Sequence, residues 1–367
     1  MKVLHLTYEY PPHIYGGVGV HVGKLTEKLA QMMDVEVRTV NPGDDIQREN
    51  MNGVHVIRYP LRTSGEGYRK ALDALRLDIE QITDEVDADV VHAHTWYENM
   101  AGLLAGVLYE VPLVATVHSL EPLRPWKREQ LGRGYNLSQW MERTGLTGCD
   151  RIIAVSEEMK RDIIRVYSID EDRIEVIHNG IDADKFRKTD AQDIIEKYSL
   201  PQEYVLFVGR LSRQKGIFHL INAADKIKLP VVLLTGKADT EGIKNELMDV
   251  IRRRRNIIWI DRMITEDELV KFYSGAAVFV CPSLYEPFGI INLEAMACEV
   301  PVVASSVGGI KEVVVDGVCG YLVQPGDEEN LAKKINEIIS DDVLREKMGK
   351  NGREIVENKF TWDIIAE

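Results

Sequence analysis

Tyr204-Val205-Leu206-Phe207-Val208-Gly209-Arg210-Leu211-Ser212-Arg213-Gln214-Lys215-Gly216 decides the fold. An apolar run ends at a glycine, a basic turn follows, and Gly216 opens a helix-length stretch, the order of strand, loop and helix that builds a parallel α/β sheet. Further apolar runs follow at 231–235, 257–260, 278–281, 301–304 and 321–323. Their unbroken β-branched content suits strands covered on both faces. The other half of the chain carries the same punctuation, with strand-like segments at 2–8, 35–40, 54–58, 89–94, 112–118, 151–155 and 173–177. Helix-length segments at 19–33, 68–86 and 157–167 lie between them. The pattern restarts after Asn179-Gly180-Ile181-Asp182. The expectation is an α/β protein of two doubly wound, Rossmann-like domains, 1–181 and 182–367, with the polar stretch 183–201 as their connection. Ligands of such sheets bind beyond the carboxyl ends of the strands, so two facing sheets are expected to enclose one site.

Composition excludes several classes. At 367 residues the chain exceeds one ordinary hydrophobic core, and 45% hydrophobic with 28% charged residues is a globular balance. A net charge of -14 repels polyanions, so no nucleic acid partner is expected. The one dense basic patch, Arg252-Arg253-Arg254-Arg255, follows a helix-like stretch and reads as solvated charge at a helix C-terminus. Residues 100–118 are long and mostly apolar, but Glu110 and Pro112 interrupt them, so a helix, a turn and a strand are expected rather than a membrane span. Cysteines 149, 281, 298 and 319 lack metal or redox spacing, and the short apolar start 1–6 reads as a strand, which together point to the cytoplasm. His92 and His94 share one face of a strand, but no third ligand stands at a diagnostic spacing, so no metal is expected.

Three segments carry chemistry. Pro11-Pro12-His13-Ile14-Tyr15-Gly16-Gly17-Val18-Gly19 follows the first strand and opens a helix, where bare glycines let backbone N–H groups approach a phosphate or sugar, or simply make a tight turn. Gly17, Gly19 and Gly23 miss the dinucleotide spacing, and Val40-Asn41 ends its strand without the acidic residue that holds a ribose, so a nicotinamide oxidoreductase is disfavoured. Arg210 and Lys215 bracket a loop that feeds a helix, which suits a diphosphate, with a solvated basic turn as the alternative. In Glu286-Pro287-Phe288-Gly289-Ile290-Ile291-Asn292-Leu293-Glu294 the helix would begin near Gly289 and bring both carboxylates to its first turns, where they could also serve only as dipole partners.

Taken jointly, Arg210 with Lys215, Glu286 with Glu294, and Ser305-Ser306-Val307-Gly308-Gly309 resemble the retaining glycosyltransferases of the GT-B fold, from end to end of the chain. Thr7-Tyr8-Glu9-Tyr10-Pro11-Pro12, Tyr15-Gly16-Gly17-Val18-Gly19-Val20-His21-Val22, His94-Thr95-Trp96-Tyr97 and 118–127 are similar to the short bacterial glycogen synthases that use ADP-glucose, maltose-1-phosphate synthases among them. The resemblance implies a hexosyltransferase acting on ADP-glucose or UDP-glucose, ADP-glucose favoured, and a glucan or glucose-1-phosphate acceptor. It makes Arg210 and Lys215 the diphosphate cations, Glu294 the ribose ligand and Glu286 the partner of donor-sugar hydroxyls. Gly17, Phe288, Gly289, Ile290 and Ile291 would contribute backbone to the donor, and His118 would stand beside the donor sugar near the reacting carbon. His94, Trp96, Arg124 and Lys127 are the acceptor candidates, the two cations for a sugar phosphate. Two features depart from the pattern: Tyr15 stands where long-chain glycogen synthases carry a lysine, and the chain ends at 360–367 inside a helix that relatives continue and pack back on the first domain.

The chemistry this implies needs neither cofactor nor metal. Leaving-group charge falls on the diphosphate, where Arg210, Lys215 and helix N–H groups stabilise it. No carboxylate nucleophile is required, in contrast to retaining glycosidases. Two other classes fit the same architecture: a sugar-nucleotide epimerase, and a catalytically inactive glucan-binding protein.

Overall fold

The computed structural model describes every residue except Tyr15, Ser64, Glu66, Arg255 and Met263, and the side chain of Lys237. It divides into two compact units, Met1–Asn179 with Ile365–Glu367, and Gly180–Ile364.

The first unit holds strands β1 (Lys2–Leu6), β2 (Asp34–Asn41), β3 (Gln47–Met51), β4 (Val54–Pro60), β5 (Val90–His94), β6 (Leu113–Val117), β7 (Arg151–Ala154) and β8 (Ile174–Val176). They form one sheet in the order β3-β4-β2-β1-β5-β6-β7-β8. All neighbours are parallel except β3, which pairs antiparallel with β4 through a turn at Asn52 and Gly53. Both turn residues take positive φ, 51° and 86°, the geometry of a tight hairpin. β3 has no counterpart in the sequence reading, because Gln47-Arg48-Glu49-Asn50 is an exposed polar edge without apolar alternation.

The second unit holds β9 (Val205–Leu211), β10 (Val231–Ala238), β11 (Ile257–Asp261), β12 (Val278–Cys281), β13 (Val302–Ser305) and β14 (Gly320–Val323), all parallel, in the order β11-β10-β9-β12-β13-β14. Val205, Phe207, Val231, Leu233, Val278, Val280 and Val303 bury one face of the sheet against Leu220, Ile221, Leu331 and Ile335 of flanking helices. Leu206, Val232, Phe279 and Val302, which alternate with them on the opposite face, are buried as well, and this double coverage is why the strands read as unbroken apolar runs.

Residues 183–201, expected as a polar connection, are instead folded into the second unit. Phe186 is buried edge-on to Tyr273, and the helix Gln192–Tyr198 buries Ile194 and Ile195. Residues 100–118 form the helix Asn99–Tyr109 and β6, separated by Glu110 in a left-handed conformation, and no described helix is long and apolar enough to cross a membrane. In the basic patch, Arg252 pairs with Asp249 and Arg254 with Asp225 beyond the helix Glu241–Ile251, while Arg255 lies outside the described residues. All four cysteines are free and buried.

Candidate active site

In the second unit the chain leaves β9 toward β10 on one side, and β12 leads toward β13 on the other. The adjacent carboxyl ends of β9 and β12 are therefore the topological switch point, where open α/β sheets take their ligands. The loops after these strands touch through Gly216. Its φ is +63°, and a Cβ there would stand 1.9 Å from the Pro282 carbonyl oxygen, so only glycine allows the approach. Across this contact Lys215 Nζ donates to Glu286 Oε2 at 2.5 Å, and Ser283 Oγ donates to the same oxygen at 3.1 Å. Gln214 ties the loops further, donating from Nε2 to the Tyr285 carbonyl and accepting at its main-chain carbonyl from Leu284 N–H.

The loop after β13 completes the clamp, because Gly309 N–H donates to the Glu286 carbonyl at 3.1 Å. Gly308, at φ +50°, lies so close to that carbonyl that a Cβ would fall 1.9 Å away. Three loops thus fix the Lys215–Glu286 pair, whose side chains are 15% and 9% exposed. A buried ion pair is a weak source of stability, so its geometry is better understood as a held cation than as a staple.

Arg210, near the end of β9, donates from Nη1 to Asp239 Oδ1 at 3.0 Å. Asp239 is itself held by its backbone N–H on the Leu211 carbonyl. The helix Ile290–Ala297 begins at Gly289, φ +96°, and among the described residues no side chain caps it and no acid stands in its first turn. Gly289, Ile290 and Ile291 therefore present backbone at an uncapped helix N-terminus, where the partial positive charge favours an anion. The Phe288 ring is buried against Phe360, leaving only its backbone for such a role. One turn on, Glu294 Oε2 accepts from Tyr273 Oη at 2.7 Å. Burial raises the Glu294 carboxyl to about 7, with the tyrosine hydrogen bond pulling the other way.

In the first unit the switch point lies between β1 and β5. After β1, Glu9 Oε2 accepts from Gly16 N–H at 2.7 Å, and Gly16 leads into the helix Gly17–Leu29, again without a side-chain cap among the described residues. Gly19 and Gly23 let that helix lie against Glu9 and Pro11, since a Cβ would come within 3.0 Å and 2.8 Å of them. Close packing is thus the physical reason for the glycines beyond Gly17; Tyr15 lies outside the described residues. After β5, Thr95 holds φ +69°, rare for a β-branched residue and of the kind that collects at functional sites.

His118, following β6, is half-buried, and its Nε2 lies 3.3 Å from His94 Nδ1. His94 Nε2 lies 3.1 Å from His5 Nδ1. Of the acceptor candidates, His94 and Trp96 are interior side chains. His94 is fully buried and engages other histidines through both ring nitrogens, and Trp96 packs with Ala71, Met100, Leu131 and Met141. Arg124 donates from Nη1 to Ser119 Oγ at 3.0 Å and to Glu121 Oε1 at 3.4 Å, while its buried Nε has no hydrogen-bond partner among the described residues. Lys127 Nζ donates to Gln130 Oε1 at 2.9 Å.

Asp239, Tyr273, Ser283 and Glu9 hold the candidate residues in place, and spacing did not reveal them. The histidine cluster is a second omission. Strand pairing sets His5 opposite His92, and His21 and His118 join His94, giving two triads, a buried one of His5, His92 and His94, and one of His21, His94 and the half-buried His118. Only the alternation of His92 and His94 was visible; the rest depends on register and helix packing.

Two doubly wound units, one with a fixed cation pair and an uncapped helix at its switch point, define a nucleotide-sugar glycosyltransferase architecture. Residues 15–185 match the family model described as Glycosyltransferase Family 4, and residues 190–355 that of Glycosyl transferases group 1. The chain is 41% identical to α-maltose-1-phosphate synthase of Mycolicibacterium smegmatis over 385 residues, covering 100% of this chain and 97% of the relative. It is 28% identical to glycogen synthase of Mycobacterium tuberculosis, over 100% and 92%. Among solved structures, sucrose-phosphate synthase from Thermosynechococcus elongatus superposes with a TM-score of 0.86 at 26% identity, covering 100% of this chain and 96% of that one. The chain belongs to the retaining GT-B glycosyltransferases related to maltose-1-phosphate synthase and glycogen synthase.

Proposed function

We propose that this enzyme transfers glucose from ADP-glucose to glucose-1-phosphate, forming maltose-1-phosphate and ADP, with an α-glucan end as the second acceptor of the same chemistry. The observation that carries this reading is the Lys215–Glu286 pair clamped at the switch point of the second unit, in a chain similar along its whole length to a maltose-1-phosphate synthase.

Arg210, Lys215 and the backbone of Gly17, Phe288, Gly289, Ile290 and Ile291 hold the diphosphate. Glu294 accepts from the ribose hydroxyls, Glu286 engages hydroxyls of the donor sugar, and His118 stands beside that sugar. The bond from C1 of glucose to the diphosphate oxygen breaks while the bond from C1 to an acceptor hydroxyl oxygen forms on the same face. The hydroxyl proton passes to the departing phosphate oxygen. Negative charge grows on the diphosphate, where fixed cations act most strongly because they need no reorganisation. Arg124 and Lys127 hold the phosphate of glucose-1-phosphate, Arg124 already oriented by Ser119 and Glu121. The reduced, buried cysteines suit the cytoplasm, where sugar nucleotides are made.

The test offers ADP-, UDP- and GDP-glucose with glucose-1-phosphate, maltose or glycogen, and measures nucleotide release and product. ADP release that depends on glucose-1-phosphate supports the reading. Release from no donor–acceptor pair, or isomerisation of the donor alone, contradicts it.

A further inference from the structure

The buried histidines behind His118 carry an inference about its proton. His5 Nδ1 meets His94 Nε2 at 3.1 Å, and His94 Nδ1 meets His118 Nε2 at 3.3 Å, so three imidazoles form one continuous file. His5 and His94 are completely buried. At the inner end, His5 Nε2 has no hydrogen-bond partner among the described residues.

A neutral imidazole has one N–H and one lone pair, so each contact in the file must contain one donor and one acceptor. Only two arrangements satisfy both contacts. In the first, His118 Nε2–H donates to His94 Nδ1, His94 Nε2–H donates to His5 Nδ1, and the His5 proton is left on Nε2, a buried N–H with nothing to receive it. In the second, His5 Nδ1–H donates to His94 Nε2, His94 Nδ1–H donates to His118 Nε2, and His5 Nε2 is a bare lone pair. Orphaned buried N–H groups are rarer than under-satisfied acceptors, so the second arrangement wins.

We propose that His94, oriented by His5, is a positioning residue that donates to His118 Nε2 and so keeps the His118 proton on Nδ1. Neutrality is supported independently, since burial lowers His5 to about 3 and holds His94 and His118 well below the ordinary imidazole range. His92 is not needed in the file, because its Nε2 lies 2.6 Å from Thr116 Oγ1. Nδ1–H is then the one polar group His118 has left to offer, so a hydroxyl that it meets must accept rather than donate. This last consequence rests on the role proposed for His118; the tautomer does not.

The experiment is a long-range proton–nitrogen correlation spectrum of the full-length, histidine-labelled enzyme without substrate, purified in metal-free buffer and analysed for zinc and nickel. His118 signals are assigned by their loss in His118→Asn. The expected result is His118 with a protonated Nδ1 and a bare Nε2. His94→Leu removes the donor and shifts His118 to the Nε2–H form that free imidazole side chains favour, whereas His94→Asn, which keeps an amide N–H near the place of Nδ1–H, retains the Nδ1–H form. An Nε2–H His118 in the wild type overturns the proposal, as does an unchanged His118 in a folded His94→Leu protein. Stoichiometric zinc or nickel on the histidines also overturns it. Should His94→Leu fail to fold, the wild-type spectrum decides. Because no turnover is measured, failure of the proposed glucose transfer leaves this result interpretable.

Discussion

Replacing Glu294 by Gln should stabilise the second unit at pH 8 and, on the ribose role proposed for it, weaken donor binding. Glu294 is raised from 4.5 to about 7, chiefly by burial. Between those values the folded chain keeps a proton that the unfolded chain releases, so stability falls as pH rises from about 4.5 to 7 and is level above. A shift of about 2.5 units corresponds to about 3.4 kcal/mol at 1.36 kcal/mol per unit. Glu294 is half-buried as a residue, and solvent screening brings the expected cost of its charge to about 2 kcal/mol. Gln removes that charge and still accepts from Tyr273 Oη. For a unit of this size the gain corresponds to a melting temperature about 4–8 °C higher at pH 8, shrinking toward zero near pH 4.5. Thermal unfolding of both proteins at half-unit pH steps measures it. A Glu294→Gln protein equally stable or less stable at pH 8, or a difference independent of pH, would refute the reasoning.

On the ribose role proposed for Glu294, the ionised carboxylate is the stronger acceptor, so ADP affinity should fall by up to about tenfold per pH unit below 7. Calorimetry at pH 6 in buffers of different ionisation enthalpy should then show proton release on binding, and proton uptake would contradict this. Lys215→Ala and Arg210→Ala should each lower turnover by about 10²-fold or more, and steady-state rates near wild type would remove the role of the cations. Gly216→Ala should cost well over the roughly 1–2 kcal/mol of a left-handed alanine, because its Cβ meets the Pro282 carbonyl. Gly317→Ala, at φ +73° with nothing within 4 Å, should cost only that backbone penalty, and equal denaturant midpoints for the two would show that the loop contact is not tight.

The inner strands of both units were legible because they are apolar and largely buried on both faces, as Val278-Phe279-Val280-Cys281 shows. β3 was not, since an exposed edge has no apolar face to betray it. Residues 183–201 misled because apolar residues such as Phe186, Ile194, Ile195 and Leu200 are spaced among charges yet reach the core. Lys215 and Glu286 could be read because each lies on a loop next to a recognisable strand, and Glu294 because it stands one turn into the helix that follows Glu286. Asp239 and Tyr273 could not, because they reach Arg210 and Glu294 from other elements. Likewise the histidine file depends on the register that sets His5 beside His92, a non-local pairing that no local spacing encodes.

The most direct measurement supplies ADP-glucose and glucose-1-phosphate to the purified chain and follows ADP by a coupled assay and the sugar product by NMR. Equimolar ADP and an α-linked disaccharide phosphate, both lost in Lys215→Ala, are predicted. A β-linked product, or ADP released at the same rate without acceptor, would contradict a retaining transfer driven by that cation.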